Sequence, residues 1–148
     1  MIEDRDSWET PKELFEKLDK QYRFSVDCCA IKENRKCLNF YYDFNSATLN
    51  SVNNDMCWMN PPFSKAYEMF EHFFNVVKQG VAIYRCDNME TKVWQNQILK
   101  NASWVFIFNK RVSYEGQVGK GARFPSALIG FNVISPNLKN GYLLRIDK

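Results

Sequence analysis

Met56-Cys57-Trp58-Met59-Asn60-Pro61-Pro62-Phe63 is the stretch on which the fold turns. Its first four residues are a short apolar run of buried-strand character. The run ends at a polar residue followed by two prolines, which have no N–H to give a sheet ladder. Downstream, Ala66, Met69, Phe70, Phe73, Phe74 and Val77 recur at helical spacing and stop before Gly80, and Gly80 to Tyr84 is again strand-like. Strand, turn, helix and strand in that order predict an α/β fold with a parallel sheet that receives ligands at the carboxyl ends of its strands.

Upstream, Thr10-Pro11-Lys12-Glu13 combines a Thr-x-x-Glu capping box with a proline at the first helical position. Leu14, Phe15, Leu18 and Tyr22 supply the apolar face of a helix reaching to about residue 21. Two strand candidates follow. Residues 24–28 contain Asp27 and lead into the small residues Cys29 and Ala30, and residues 38–42 are followed by Asp43. Residues 45–55, rich in Asn, Ser and Asp, read as loop. After a helix over 91–99, the runs 104–108, 126–134 and 142–146 are strands with little helix between them. The expectation is a mostly parallel central sheet with antiparallel C-terminal strands. No internal repeat or linker appears, so residues 1–148 are expected to form one domain without a separate recognition domain.

The net charge of +3 permits a nucleic-acid partner without requiring one, and the 16% aromatic content places some rings at the surface or in a pocket. No apolar run approaches the length of a membrane span, and the acidic start Met1-Ile2-Glu3-Asp4 does not resemble a leader, so a cytoplasmic protein is expected. Five cysteines without a CxxC pair, and a single histidine in an apolar helical pattern, predict free thiols and no metal site. Nothing in the sequence calls for an obligate protein partner.

Asp27, Asp43 and Asn60 all fall at strand ends in this reading, and one ligand bearing an ammonium, ribose hydroxyls and a purine would satisfy the three together. The alternative is that the aspartates are solvated turn residues or helix caps. In Asn60-Pro61-Pro62-Phe63, the amide oxygen and the Pro61 carbonyl are two acceptors matched to the two N–H groups of a planar amine, and Phe63 offers a ring for stacking; the alternative is a strand-ending turn. Lys110, Arg111, Lys120 and Arg123 flank the three-glycine loop 116–123 and are the candidates for phosphate contacts.

Taken in order, Trp8-Glu9-Thr10-Pro11, Phe24-Ser25-Val26-Asp27-Cys28-Cys29-Ala30, Cys37, Asn60-Pro61-Pro62-Phe63 and Arg123-Phe124-Pro125-Ser126-Ala127-Leu128 resemble the phage DNA N6-adenine methyltransferases of the Dam type, over about residues 6–134. The resemblance implies a single compact Rossmann-like class I methyltransferase domain that moves a methyl group from S-adenosylmethionine to a flipped-out adenine in double-stranded DNA. It implies a phage- or prophage-encoded protein acting in a bacterial host. It assigns Asn60, Pro61, Pro62 and Phe63 to catalysis and the adenine, and Thr10 and Pro11, with Trp8, to the methionine end of the cofactor. Asp27 is assigned to the cofactor's amino group, with Cys28 to Ala30 as the adjoining turn and Asp43 as a further cofactor candidate. The segment 109–114 resembles one that more often begins Gly-Arg, and the glycine-rich turn of many methyltransferases is missing. Other exocyclic amines (cytosine N4, an RNA base, a glutamine amide) and an inactive DNA-binding relative are the competing functions.

Overall fold

The apolar runs become strands wherever alternate residues have two different apolar partners to meet. The computed structural model describes residues 8–115 and 124–146. These contain β1 (Val26–Asp27), β2 (Asn39–Phe40), β3 (Cys57–Met59), β4 (Gly80–Arg85), β5 (Trp104–Phe108), β6 (Ser126–Phe131) and β7 (Gly141–Arg145). The helices are α1 (Lys12–Tyr22), α2 (Ala66–Val76) and a π-helical turn, Val93–Ile98, that runs into α3 (Leu99–Asn101). None of these helices is long and apolar enough to cross a membrane. The glycine loop, with Lys120 and Arg123, lies outside the described residues.

The strands form one sheet in the order β2-β1-β3-β4-β6-β5-β7. The pairings β1 with β2, β1 with β3 and β3 with β4 are parallel. Those of β6 with β4 and β5, and of β7 with β5, are antiparallel. The sheet is therefore evenly mixed rather than mostly parallel, because β6 inserts between β4 and β5 against their direction. Successive strand residues point to opposite faces and so divide into two cores. Met59, Ala82, Tyr84 and Ile129 pack with Phe70 and Phe73 of α2, whereas Trp58, Val81, Ile83 and Leu128 pack with Phe15 and Leu18 of α1.

The tightest glycine contact in this sheet is with an indole. Gly130 of β6 faces Trp104 of β5, and a Cβ there would stand 2.0 Å from the indole, whose Nε1 donates to the Val133 carbonyl at 2.9 Å.

The helix start differs from the expected capping box. Pro11 occupies the N-cap, no side chain caps from within the helix, and the first free N–H, that of Lys12, donates to Glu115 Oε2 at 2.9 Å. Glu115 is held there by a two-way backbone pairing with Glu9, each N–H donating to the other's carbonyl at 2.8 Å. A carboxylate from another part of the chain thus takes the role expected of Thr10, and it suits the positive end of a helix.

Candidate active site

Strand order reverses around β1: the chain goes to one side of it for β2 and to the other for β3. Such a switch point leaves a crevice beyond the carboxyl ends of the strands. Two adjoining cavities occupy it. One, of about 180 Å³, is lined by Ala30, Tyr42, Asp43, Pro62 and Lys65 among others. The other, of about 30 Å³, is lined by Trp8, Glu9, Thr10, Asp27, Lys36 and Trp58. Cys29, Asn34 and Asn60 border both.

Asp27 ends β1 and is 3% exposed. Its Oδ1 accepts the Cys29 N–H at 3.2 Å and its Oδ2 the Lys36 N–H at 2.9 Å, so the carboxylate ties both ends of the loop between them. Burial pushes this carboxyl up to about 6, against the lowering effect of the two N–H groups and the Lys36 charge. An acid this deep is stabilised in its ionised form by an additional cation. Lys36 itself lies 3.8 Å from Glu9, giving the smaller cavity a cation between two carboxylates.

Thr10 is 1% exposed, lines the same cavity, and its hydroxyl has no hydrogen-bond partner among the described residues. A buried hydroxyl left unmatched costs about 1–3 kcal/mol. This donor, with Asp27 and Lys36, gives the smaller cavity a polar lining, and the larger cavity adjoins it. Asp43 is exposed and stands three residues beyond β2; its Oδ1 accepts the Asn45 N–H at 3.2 Å, capping a short 3-10 helix, Phe44–Ser46, while the residue still borders the larger cavity.

Asn60 follows β3 and joins the two cavities. Its Nδ2 donates to the Trp8 carbonyl at 3.2 Å. Because a carbonyl can only accept, this contact sets the amide orientation and leaves Oδ1 as an acceptor. Phe63, half-buried, lies edge-on to Trp8 (6.0 Å), Tyr84 (6.0 Å), Tyr114 (6.3 Å) and Phe124 (5.4 Å). Trp8 and Phe124 stack at 5.8 Å with planes 14° apart. The acceptor amide thus adjoins an aromatic wall, an arrangement suited to holding a planar aminated ring.

Burial drives the Cys28 and Cys29 thiols well above their ordinary range, and pushes Cys37 up to about 12 and Cys86 up to about 11. His72 is occupied structurally: its Nε2 is 2.9 Å from the Ala47 carbonyl and its ring meets Phe44 edge-on at 5.0 Å. Among the described residues no three His, Cys, Asp or Glu side chains converge as a metal site.

The sequence matches the family described as "DNA N-6-adenine-methyltransferase (Dam)" over residues 1–127. The chain belongs to this Dam family. It is 26% identical to the DNA N-6-adenine-methyltransferase of Haemophilus phage HP1 across 95% of this chain and 87% of that protein. It is 35% identical to the protein of the same name from Escherichia phage T1, across 46% of this chain and 32% of that protein.

For a Dam-family chain, the crevice gathers most of the residues singled out from sequence: Trp8, Thr10, Asp27, Ala30, Asp43, Asn60 and Pro62 line one cavity or the other, and Pro61 and Phe63 flank them. Cys28 is not among them; its side chain is fully buried in the α2-side core. Pro11 borders instead a cleft of about 290 Å³ that also contains Lys110 and Arg111. Cys29, within the turn assigned beside Asp27, borders both cavities, and Asn34 and Lys36 line them although sequence reasoning did not assign them there. Their positions depend on the loop that Asp27 folds back over itself, which leaves no periodic signal. Phe124 is visible in the sequence only as part of a late motif, and Arg85, a polar residue at the end of an apolar strand, carries the same signal that marks Asp27 and Asn60.

Proposed function

We propose that this protein methylates N6 of a specific, extruded adenine in double-stranded DNA, using S-adenosylmethionine and a single Rossmann-like class I methyltransferase domain. Adenine N6 methylation of DNA is the activity of the family to which the chain belongs. The observation that carries the residue assignments is the Asn60 amide, turned by the Trp8 carbonyl so that its oxygen remains available beside the Phe63 ring.

In this reading the larger cavity, with Asp43 and Ala30, would hold the nucleoside of the cofactor, and the residues around the smaller one would face its amino-acid end. Asp27 receives the ammonium, Thr10 supplies a hydroxyl, and Pro11 anchors the segment that carries Thr10. The bound cofactor supplies a methyl group on a sulfonium, a good leaving group. Asn60 Oδ1 and the Pro61 carbonyl accept the two N6 hydrogens and draw the amine toward tetrahedral geometry, freeing its lone pair. Pro62 keeps this segment extended, with φ −60° and ψ 132°, and Phe63 stacks on the base. Attack by N6 on that methyl would release the neutral thioether, and the proton that N6 then sheds would pass to solvent, so no residue of the crevice has to act as a base before attack. Positioning supplies most of the acceleration, and no covalent enzyme intermediate forms.

Because a stacked adenine cannot reach this crevice, it must leave the duplex, and Lys110, Arg111, Lys120 and Arg123 are proposed to hold the phosphates while it does so. The setting is the cytoplasm of a bacterial host. Transfer of labelled methyl groups to unmethylated duplex DNA tests the proposal. Wild type should label adenine and Asn60→Ala should lose turnover at least about a hundredfold while binding cofactor normally. Label on cytosine, on RNA or on protein, or none despite normal cofactor binding, would refute it.

A further inference from the structure

Arg85 ends β4, which runs parallel to β3, so it lies on the same edge of the sheet as Asn60. Its guanidinium makes a two-point contact with Asp87, Nε to Oδ1 at 2.8 Å and Nη2 to Oδ2 at 2.6 Å. This pair cannot staple distant parts of the fold, because its members are two residues apart. The side chains are 24% and 27% exposed, and pairs near the surface add little stability. What the contact does is hold the guanidinium plane in one orientation.

That guanidinium is held against the aromatic wall, 4.4 Å from the centre of the Phe124 ring and 5.9 Å from that of Phe63. Two of the five guanidinium N–H groups are used by Asp87, leaving others for a ligand. Beside it opens a cleft of about 240 Å³ lined by Tyr84, Arg85, Asn88, Thr91 and Trp94, in which Arg85 is the one charged residue among the described residues that line it. Trp94 secures the floor by donating its indole N–H to the Arg85 carbonyl at 3.0 Å. Arg111 also acts on Asp87: the Asp87 carboxyl is held below its ordinary range first by the hydrogen bonds from Arg85 and further by the Arg111 charge.

A rigid, directed guanidinium at the mouth of a cleft that carries no acid among its lining residues matches a phosphodiester. We propose that Arg85 binds the backbone phosphate next to the extruded adenine, with Asp87 as the positioning residue that fixes its plane. This rests on the DNA-methylation reading above and adds a DNA contact to it.

The test is binding of the full chain to duplex DNA across a salt series, by fluorescence anisotropy, with Arg85→Gln and Arg85→Lys. Arg85→Gln should lower the slope of log Kd against log salt by about 0.9, the loss of one phosphate contact. Arg85→Lys should restore the slope but not the rate of methylation, since an ammonium cannot be held in plane by Asp87. A neutral methylphosphonate beside the target adenine should weaken wild type and leave Arg85→Gln unchanged. Melting temperature and cofactor affinity should match wild type in both variants. An unchanged slope in Arg85→Gln, or additive losses from the variant and the methylphosphonate, would overturn the phosphate contact alone. A wild type that neither binds nor methylates duplex DNA would overturn both readings.

Discussion

Replacing Asp27 by asparagine should remove a pH dependence of stability that the wild type shows between about pH 5 and 7.5. The Asp27 carboxyl is buried and raised from its ordinary 3.8 to about 6. An acid that holds its proton better in the folded chain than in the unfolded one contributes fully to stability below its unfolded pKa. That contribution is lost as the pH rises through its folded pKa. The whole shift corresponds to about 3 kcal/mol, of which about 1.4 kcal/mol falls between about pH 5 and 7.5. For a chain of this length that is a fall of about 3–6 °C in Tm. Urea denaturation of both proteins, without cofactor, separates Asp27 from other titrating groups because only the difference in slope is read. The amide of the Asp27→Asn variant keeps one acceptor oxygen but cannot receive both the Cys29 and the Lys36 N–H, so a constant loss of about 1 kcal/mol is expected at every pH. Addition of S-adenosylmethionine should reverse the trend, because its ammonium favours the ionised carboxylate. Its affinity for wild type should rise about tenfold from about pH 5 to 7.5 and stay flat in the variant. Parallel stability profiles for wild type and variant would refute the assignment of Asp27 as a buried acid titrating near 6.

Three further outcomes are expected. Gly130→Ala should destabilise the fold by about 3 kcal/mol or more in urea denaturation, since its methyl meets the anchored Trp104 indole; a loss below about 1 kcal/mol would mean that the β5–β6 pair shifts freely. Glu115→Ala removes the acceptor of the Lys12 N–H and should lower stability by about 1 kcal/mol, whereas Thr10→Ala should leave the helix cap unaffected and weaken cofactor binding in calorimetry; the reverse assignment would restore the capping box. Phe63→Trp should retain more methylation turnover than Phe63→Ala, because the first keeps a stacking face, and the opposite ranking would count against base stacking at this position.

How far the fold is legible from sequence depends on how local the causes are. The continuous apolar runs and the helical pattern around Met56 to Tyr84 identify strand, helix and strand, because a short unbroken apolar run and a 3.6-residue spacing are both local features of the chain. The prolines after Asn60 mark the strand end for an equally local reason, the missing N–H groups. The helix over residues 12–22 is readable, but its cap is not, because Glu115 is brought to Lys12 by pairing with Glu9 from the far end of the sequence. Likewise the parallel pairing of β3 with β4 follows from the helix between them, whereas the parallel pairing of β1 with β2 and β3, with no α-helix between, and the insertion of β6 between β4 and β5 are long-range choices with no local signature.

The sequence by itself determined the apolar strand runs, the helix positions, the Asn-Pro-Pro-Phe segment and, through motif order, the family. Only the tertiary structure decided what these residues do to each other. It turned the Asn60 amide with the Trp8 carbonyl, left the Thr10 hydroxyl in a cavity beside a buried Asp27, moved the Cys28 thiol into the core, and set the Arg85 guanidinium over the Phe124 ring. The physical reason is common to all of them. Burial and hydrogen-bond satisfaction depend on which distant groups share a space, and that is set by strand order rather than by neighbours in the chain.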